Sequence, residues 1–518
     1  MFREKATVSK LFKLSANTVR ASLNAHSGLG LFIAALLYLV CITGVISVFY
    51  PDFERWEQPQ IHETTHADPI AIQKGLENLL DWHKQHNPDA KPFEDIWVGL
   101  PTVEMPRFSV GGHIDVIEAQ FFVNTDGTLG EKVDHEWTHF LVKLHYALTI
   151  PGIWGMVVVG VIGMVLVGMI ISGIAAHPTI FKNAFSLRIN RGQRQQQVDL
   201  HNRIGVWSTP FMLAIAITGA LIGLSQIILF VFASSFFKGD TTKITSELYL
   251  PHPEATNVAA PFMNVAPILE KFTREHPDLL PYYFSIHFPE TTAQTVELGA
   301  YLPDRLVWYD AFQFNLHGEQ IKHLNWPDGD IGMQIYASTY RLHFGHFGGL
   351  PVKMLYAILG LGMCFMCATG MNIWFRRQQQ AGNTYPKLER SWLAVVWGFP
   401  LAIAISLLVD VWWSTQLVAV FWGSSLLIFI AALAITNRQI LSISLRLALI
   451  ASIVLILVIH VIKFGSNSFS DASLLINILF VIAVALLGLG LGLGSTLNRR
   501  SLSKEQENAV TEMPSVAD

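Results

Sequence analysis

Residues 26–44 read HSGLGLFIAALLYLVCITG, and residues 201–219 read HNRIGVWSTPFMLAIAITG. Each stretch opens on a histidine and closes on Ile-Thr-Gly, with Thr43-Gly44 and Thr218-Gly219 at the same 17 and 18 residues from His26 and His201. A hydrocarbon core of ~30 Å takes about 20 apolar residues of helix, so each stretch reads as a membrane span that starts on a histidine. A second pair of segments matches more loosely. Leu144-His145 leads to Pro151 and Ser172-Gly173, while Leu342-His343 leads to Pro351 and Thr369-Gly370. Residues 1–177 and 178–377 therefore read as two copies of one unit, span–module–span.

Working outward, eight stretches are long and apolar enough to span: roughly 27–50, 147–176, 205–236, 350–375, 392–413, 417–436, 445–463 and 473–495. The composition agrees. Of 518 residues 51% are hydrophobic and 14% charged, against about 25% charged in soluble domains, and the mean hydropathy is +0.40. A net charge of −4 speaks against a nucleic-acid partner. Cys41, Cys364 and Cys367 all lie in apolar runs, which excludes a disulfide-stapled scaffold. The apolar run from Leu29 to Tyr50 is too long for a signal-peptide core and lacks a cleavage site, so it reads as an uncleaved anchor.

Charges orient the spans. Lys182, Arg188, Arg191, Arg194 and Arg203 crowd the link between spans two and three. Arg376, Arg377, Lys387 and Arg390 follow span four, Arg438 and Arg446 separate spans six and seven, and Arg499 and Arg500 follow span eight. Positive-inside counting puts both termini in the cytoplasm. The expected order is a basic cytoplasmic N-terminus 1–25, span 26–50, outer module 51–140, span 141–177 and a basic cytoplasmic loop 178–200. Span 201–236, outer module 237–340, span 341–377, a four-span bundle 392–495 and a cytoplasmic tail 496–518 complete it. Each outer module has the same plan: an amphipathic helix (Ile70 to His86; Val265 to His276), short alternating strands, and a closing turn at Asp126-Gly127 or His317-Gly318. The fold class is thus a polytopic α-helical membrane protein with a four-helix bundle made of two repeats and two small α+β modules.

Ligating side chains within lipid are functional by default. Topology brings His26 and His201 to the cytoplasmic face and His145 and His343 to the outer face, one from each repeat. Two imidazoles on opposing helices are what a six-coordinate haem iron accepts, so the pattern predicts two haem b groups, one per face. Gly28, Gly30, Gly152, Gly155, Gly205, Gly345 and Gly348 leave room for a flat macrocycle, and Arg203, Arg341 and Lys143 are placed to meet propionates. His139, His177 and His346 lie at the correct faces as further candidate ligands. Cys364-Phe-Met-Cys367 and the glycines of 488–494 read as packing features. Asp410 and His460 read as residues reaching the interface from spans five and seven.

The motif set His26 with Gly28 and Gly30, Leu144-His145 with Pro151-Gly152, His201 through Thr218-Gly219, and Leu342-His343 through Thr369-Gly370 to Trp374-Phe-Arg-Arg resembles the PepSY-associated transmembrane family. The likeness covers about residues 10–380, and the outer modules are similar to PepSY-like domains. The resemblance implies a bacterial inner-membrane protein of the ferric-siderophore reductase type. Electrons would enter at His26 and His201 and leave at His145 and His343, with a ferric siderophore as periplasmic acceptor. No flavin or nicotinamide motif is visible in the sequence, so the donor would be external, a quinol or a cytoplasmic reductase. Two other functions fit the sequence: a quinol-linked respiratory cytochrome b with a protein acceptor, and a haem-free transporter or sensor with outer ligand-binding modules.

Overall fold

The Ser15 hydroxyl accepts the Thr18 N–H at 3.1 Å, satisfying one of the donors left open at a helix start, and α1 (Ala16–Ser47) follows. The computed structural model describes residues 14–511 except 90, 115–116, 178–192, 257, 304 and 412–415. Lys182, Arg188 and Arg191 of the expected cytoplasmic loop, and the ends of the two terminal segments, lie outside the described residues. Among the described residues, eight helices are long and apolar enough to cross a membrane.

After α1 come α2 (Tyr50–Glu57) and α3 (Pro69–His86), then strands β1 (Asp95–Gly99), β2 (Ser109–Ile114), β3 (Ile117–Val123) and β4 (Leu129–Lys132). α4 (Glu136–Ala147) and α5 (Trp154–Ala175) end the first repeat. The second begins with α6 (Gln193–Gly223) and runs through α7 (Ser225–Phe236), α8 (Thr242–Leu248) and α9 (Ala266–Glu275). It ends with β5 (Leu280–His287), β6 (Thr295–Tyr301), β7 (Tyr309–Phe314), β8 (Gln320–His323), α10 (Ile331–Phe344) and α11 (Gly349–Gln380).

The two outer segments do not form two separate modules, which corrects the expectation. Their strands share one antiparallel sheet in the order β4-β3-β2-β1-β5-β6-β7-β8, and the repeats join where β1 pairs with β5. In that seam Asp95 faces His287 and Trp97 faces Ser285. The reason is burial. β1 alternates, with Ile96 and Val98 buried, and β5 does the same with Phe284 and Ile286. A half-sheet alone would leave one of these strands as an exposed apolar edge. Joined, the four residues share a core with Leu76 and Leu79 of α3 and Leu269 and Phe272 of α9. The outermost strands β4 and β8 have four residues each, and short edges limit pairing with other chains. Gly127 and Gly318, in the two closing turns, have φ of +84° and +75°, a region that favours glycine.

α1, α5, α6 and α11 form a ring in which each packs on two neighbours, α1 on α5 and α11, and α6 on the same two. Small residues allow close approach, as expected in lipid: a Cβ on Gly223 would stand 2.7 Å from Cα of Gly160. A second correction concerns spans two and four, which are broken. α4 ends at a left-handed Leu148 and α10 at a left-handed Gly345, so His145 and His343 sit on short helices that precede the spans α5 and α11. The third span also breaks, at Leu224 between α6 and α7.

The described residues from 383 onward form a separate unit. α12 (Pro386–Leu393) continues through a π-helical turn at 394–398 into α13 (Phe399–Asp410), followed by α14 (Leu417–Ala434), α15 (Arg438–Phe464) and α16 (Asp471–Thr511). Arg390 donates to the carbonyls of Leu433 and Ile435 at 3.1 and 3.0 Å, closing the end of α14. His460 is buried in α15.

Candidate functional site

The four histidines expected from the repeat meet in two pairs. The ring centroids of His26 and His201 lie 6.4 Å apart with planes at 83°, and those of His145 and His343 lie 6.2 Å apart at 30°. Each pair takes one member from each repeat. Two imidazoles bound to one metal atom by bonds of about 2.0 Å bring their ring centres to about 6 Å, and both pairs stand at a spacing compatible with one shared metal atom. α1 carries His26 near one end and Gly44, which seats His145, near the other. The 18 residue steps between them span about 27 Å of helix.

Each ring is held in the same way, by the other span of its own repeat. His145 lies on Gly44, His26 on Gly173, His343 on Gly219 and His201 on Gly370, the four glycines of the Ser/Thr-Gly pairs. Nδ1 of His26 donates to the Met169 carbonyl at 2.8 Å, and Nδ1 of His145 to the Val40 carbonyl at 3.0 Å. In the second repeat hydroxyls stand at Nδ1, Thr369 Oγ1 for His201 at 3.1 Å and Thr218 Oγ1 for His343 at 2.9 Å, and each ring also bonds a backbone carbonyl, Met366 for His201 and Ile215 for His343. Both threonines donate their own proton to a carbonyl one turn back, Phe365 and Ala214, so their oxygens are left to accept. A carbonyl or an already donating hydroxyl requires the proton on Nδ1. Nε2 then keeps its lone pair, the form in which imidazole binds a metal.

A cavity of about 420 Å³ surrounds the first pair, lined by His26, His201, His177, Met169, Met366 and Arg377 among others. This lies within the ~300–1,000 Å³ of ordinary cofactor pockets. His177 lines it from beyond the end of α5, as its expected face requires. Arg377 was read from sequence only as an orienting charge. Its place seven residues after Gly370, two turns along α11, was the available signal.

Other expected residues lie elsewhere. Arg341 is buried, and its guanidinium donates to the carbonyls of His346, Leu302, Pro303 and Arg305. It ties α10 to the loop after β6, so a propionate role does not follow from its position. Arg203 is half-buried on α6 and is absent from that cavity lining, and Lys143 is exposed. His346 packs on Tyr50 and stands 3.4 Å from Glu104, and His139 stands 3.6 Å from Glu54. Neither joins His26–His201 or His145–His343.

Charges missed in the sequence brace the sheet end. Lys353, in the first turn of α11 and 4% exposed, donates to Asp52 at 3.0 Å and lies 3.8 Å from Glu104. Arg55 binds Glu63 through two hydrogen bonds, 2.7 and 2.8 Å. In the sheet seam His287 donates to Asp95 at 2.7 Å, with Glu297 3.8 Å away on its other side. Burial alone pulls its pKa down, but the two carboxylates raise it to about 9. A protonated imidazole between two acids is an ion cluster, with no lone pair for a metal.

Comparison with known proteins agrees with this architecture. The family model described as the PepSY-associated TM region matches residues 23–377, more than half of the chain. The uncharacterized protein PA4219 of Pseudomonas aeruginosa is 24% identical over 260 residues, which cover 48% of this chain and 66% of that protein. The match thus spans just under two thirds of that relative's length. With both histidine pairs inside the matched region, this chain belongs to the PepSY-associated transmembrane family.

Proposed function

We propose that the chain is an inner-membrane electron carrier with two haem b groups, moving electrons outward to reduce a ferric siderophore. One observation carries this reading: four histidines in two facing pairs, each with Nδ1 hydrogen-bonded so that Nε2 keeps its lone pair. His26 and His201 would hold one haem, and His145 and His343 the other. Bound haem supplies one-electron carriage, and two imidazole ligands leave no open position for oxygen. The chain's own contribution is to fix ring orientation through the Ser/Thr-Gly seats and to offer Arg377 as a counter-charge in the cytoplasmic-side cavity. Lys and Arg counts support cytoplasmic termini and a periplasmic sheet domain. Reduction to Fe(II) weakens binding by hard oxygen donors and frees the iron. No donor site is assigned, so quinol or a cytoplasmic reductase supplies the electrons.

The test is a dithionite-reduced minus oxidised spectrum of the detergent-purified protein, with pyridine haemochrome quantification. About two b-type haems per chain, reoxidised by ferric siderophore, are expected. A colourless protein from haem-replete cells sinks the reading and leaves a transporter or sensor.

A further inference from the structure

α2 has eight residues, and two of its carboxylates, Glu54 and Glu57, sit one turn apart beside the start of α4. Glu57 closes that helix start. It accepts the backbone N–H of Trp137 at 3.1 Å and of Thr138 at 3.3 Å, and the Thr138 hydroxyl as well. The open N–H donors are thereby met, and α2 is clamped onto α4. Glu54 is left to face His135 and His139. Its Oε1 is 3.6 Å from Nε2 of His139 and 4.0 Å from Nδ1 of His135. One ligating atom from each of the three lies within 4.8 Å of the others.

His135 is 7% exposed, yet its Nδ1 faces Glu54 from beyond hydrogen-bonding reach, and its Nε2 is buried with no partner among the described residues. His135 and His139 are four apart and share a helix face, with ring centroids 6.1 Å apart. The His139 side chain is 66% exposed, which gives an ion a way in from solvent.

We propose that Glu54, His135 and His139 form a site for a divalent transition-metal ion, of the Fe(II) or Zn(II) class. Two imidazoles and one carboxylate suit such ions. Bonds of about 2.1 Å set tetrahedral ligand atoms ~3.4 Å apart, within side-chain rotation of the distances observed. The site belongs to one repeat only. Ten and six residues before His145 stand His135 and His139; the same offsets from His343 give Met333 and Ala337. His139 and His145 share α4, six residues or about 9 Å apart, so a captured ion lies close to the outer histidine pair. Arg107, whose guanidinium donates to the carbonyls of Glu54, Arg55 and Gln58, ties down the α2 segment that carries Glu54. A role in receiving Fe(II) rests on the proposed reductase function; the site itself rests on its own geometry.

The test is equilibrium dialysis of the full chain in detergent, stripped with a chelator, against Zn²⁺, with elemental analysis. One ion per chain is expected above what His139→Ala holds, and Glu54→Gln lowers the affinity at least about tenfold. His139 is exposed, so its replacement leaves the fold intact, and in anaerobic dialysis Fe²⁺ alone binds the same site more weakly than Zn²⁺. Identical isotherms for wild type, His139→Ala and Glu54→Gln overturn the proposal. The two readings fail separately. Stoichiometric Zn²⁺ on a haem-free protein upholds the site and removes the electron carrier, whereas a haem-loaded protein with identical isotherms removes only the site.

Discussion

His145 occupies the space that a side chain on Gly44 would need: a Cβ there would stand 2.7 Å from Cε1 of the ring. The same contact recurs at Gly219 under His343 at 2.9 Å, Gly173 under His26 at 3.1 Å and Gly370 under His201 at 3.5 Å. Each ligand candidate is thus seated on a glycine in the opposite span of its own repeat, and each repeat seats both of its histidines reciprocally.

The clearances rank the glycines. Gly44→Ala and Gly219→Ala force the outer imidazoles to move, Gly173→Ala displaces His26 less, and Gly370→Ala is tolerated. On the proposed function, haem per chain falls in that order, read by pyridine haemochrome. Equal haem content in Gly44→Ala and Gly370→Ala would falsify the seating argument.

Thr218→Val removes one of two acceptors of the His343 ring, the hydroxyl at Nδ1, and leaves the Ile215 carbonyl. Losing a partner that orients a metal-ligating imidazole costs about 10–100-fold in affinity. Cofactor retention by the His145–His343 pair is expected to fall by no more than that factor, since the Ile215 carbonyl still holds the ring, measured as haem transfer to an apo-globin acceptor. Thr43→Val is expected to do less, because Thr43 lies 3.4 Å from His145 Nδ1 whereas Thr218 lies 2.9 Å from His343 Nδ1.

Lys353→Met leaves Asp52 and Glu104 facing each other where the lysine stood. Removing one partner of a buried ion pair costs about 3–5 kcal/mol. The thermal midpoint in detergent should drop by several degrees, and Asp52→Asn combined with Lys353→Met should recover part of it. A midpoint unchanged in the single variant counts against a structural role for the pair.

pH acts on the sheet seam with a definite sign. His287 is raised from 6.5 to about 9 in the folded protein, so its stabilising contribution is whole below pH 6.5 and is lost as pH rises to about 9. Asp95 is lowered from 3.8, first by its hydrogen bond with His287. Its contribution is present above pH 3.8 and is lost as pH falls through the depressed value. The seam is therefore firmest between roughly pH 4 and 6.5. Unfolding midpoints from pH 6 to 10 should decline in wild type and flatten in His287→Gln; parallel slopes would show that the seam does not titrate as stated.

The sequence by itself determined the eight spans, the two repeats and the pairing of His26 with His201 and of His145 with His343. Length, hydropathy and Lys/Arg counts are local quantities, and a repeat whose spans alternate in direction leaves each histidine only one end of the bundle. Tertiary structure decided what depends on which surfaces meet. β1 and β5 read equally well as edges of separate modules, and only their shared core with α3 and α9 fuses the sheets. Arg341 read as a counter-charge until the carbonyls of Leu302 and Pro303, some forty positions upstream, met its guanidinium. His139 read as a haem ligand until α2 brought Glu54 to it and turned it toward His135. Spacing along a helix fixes which face a side chain shares, but a buried polar group takes its role from the partner that satisfies it, and that partner comes from elsewhere in the chain.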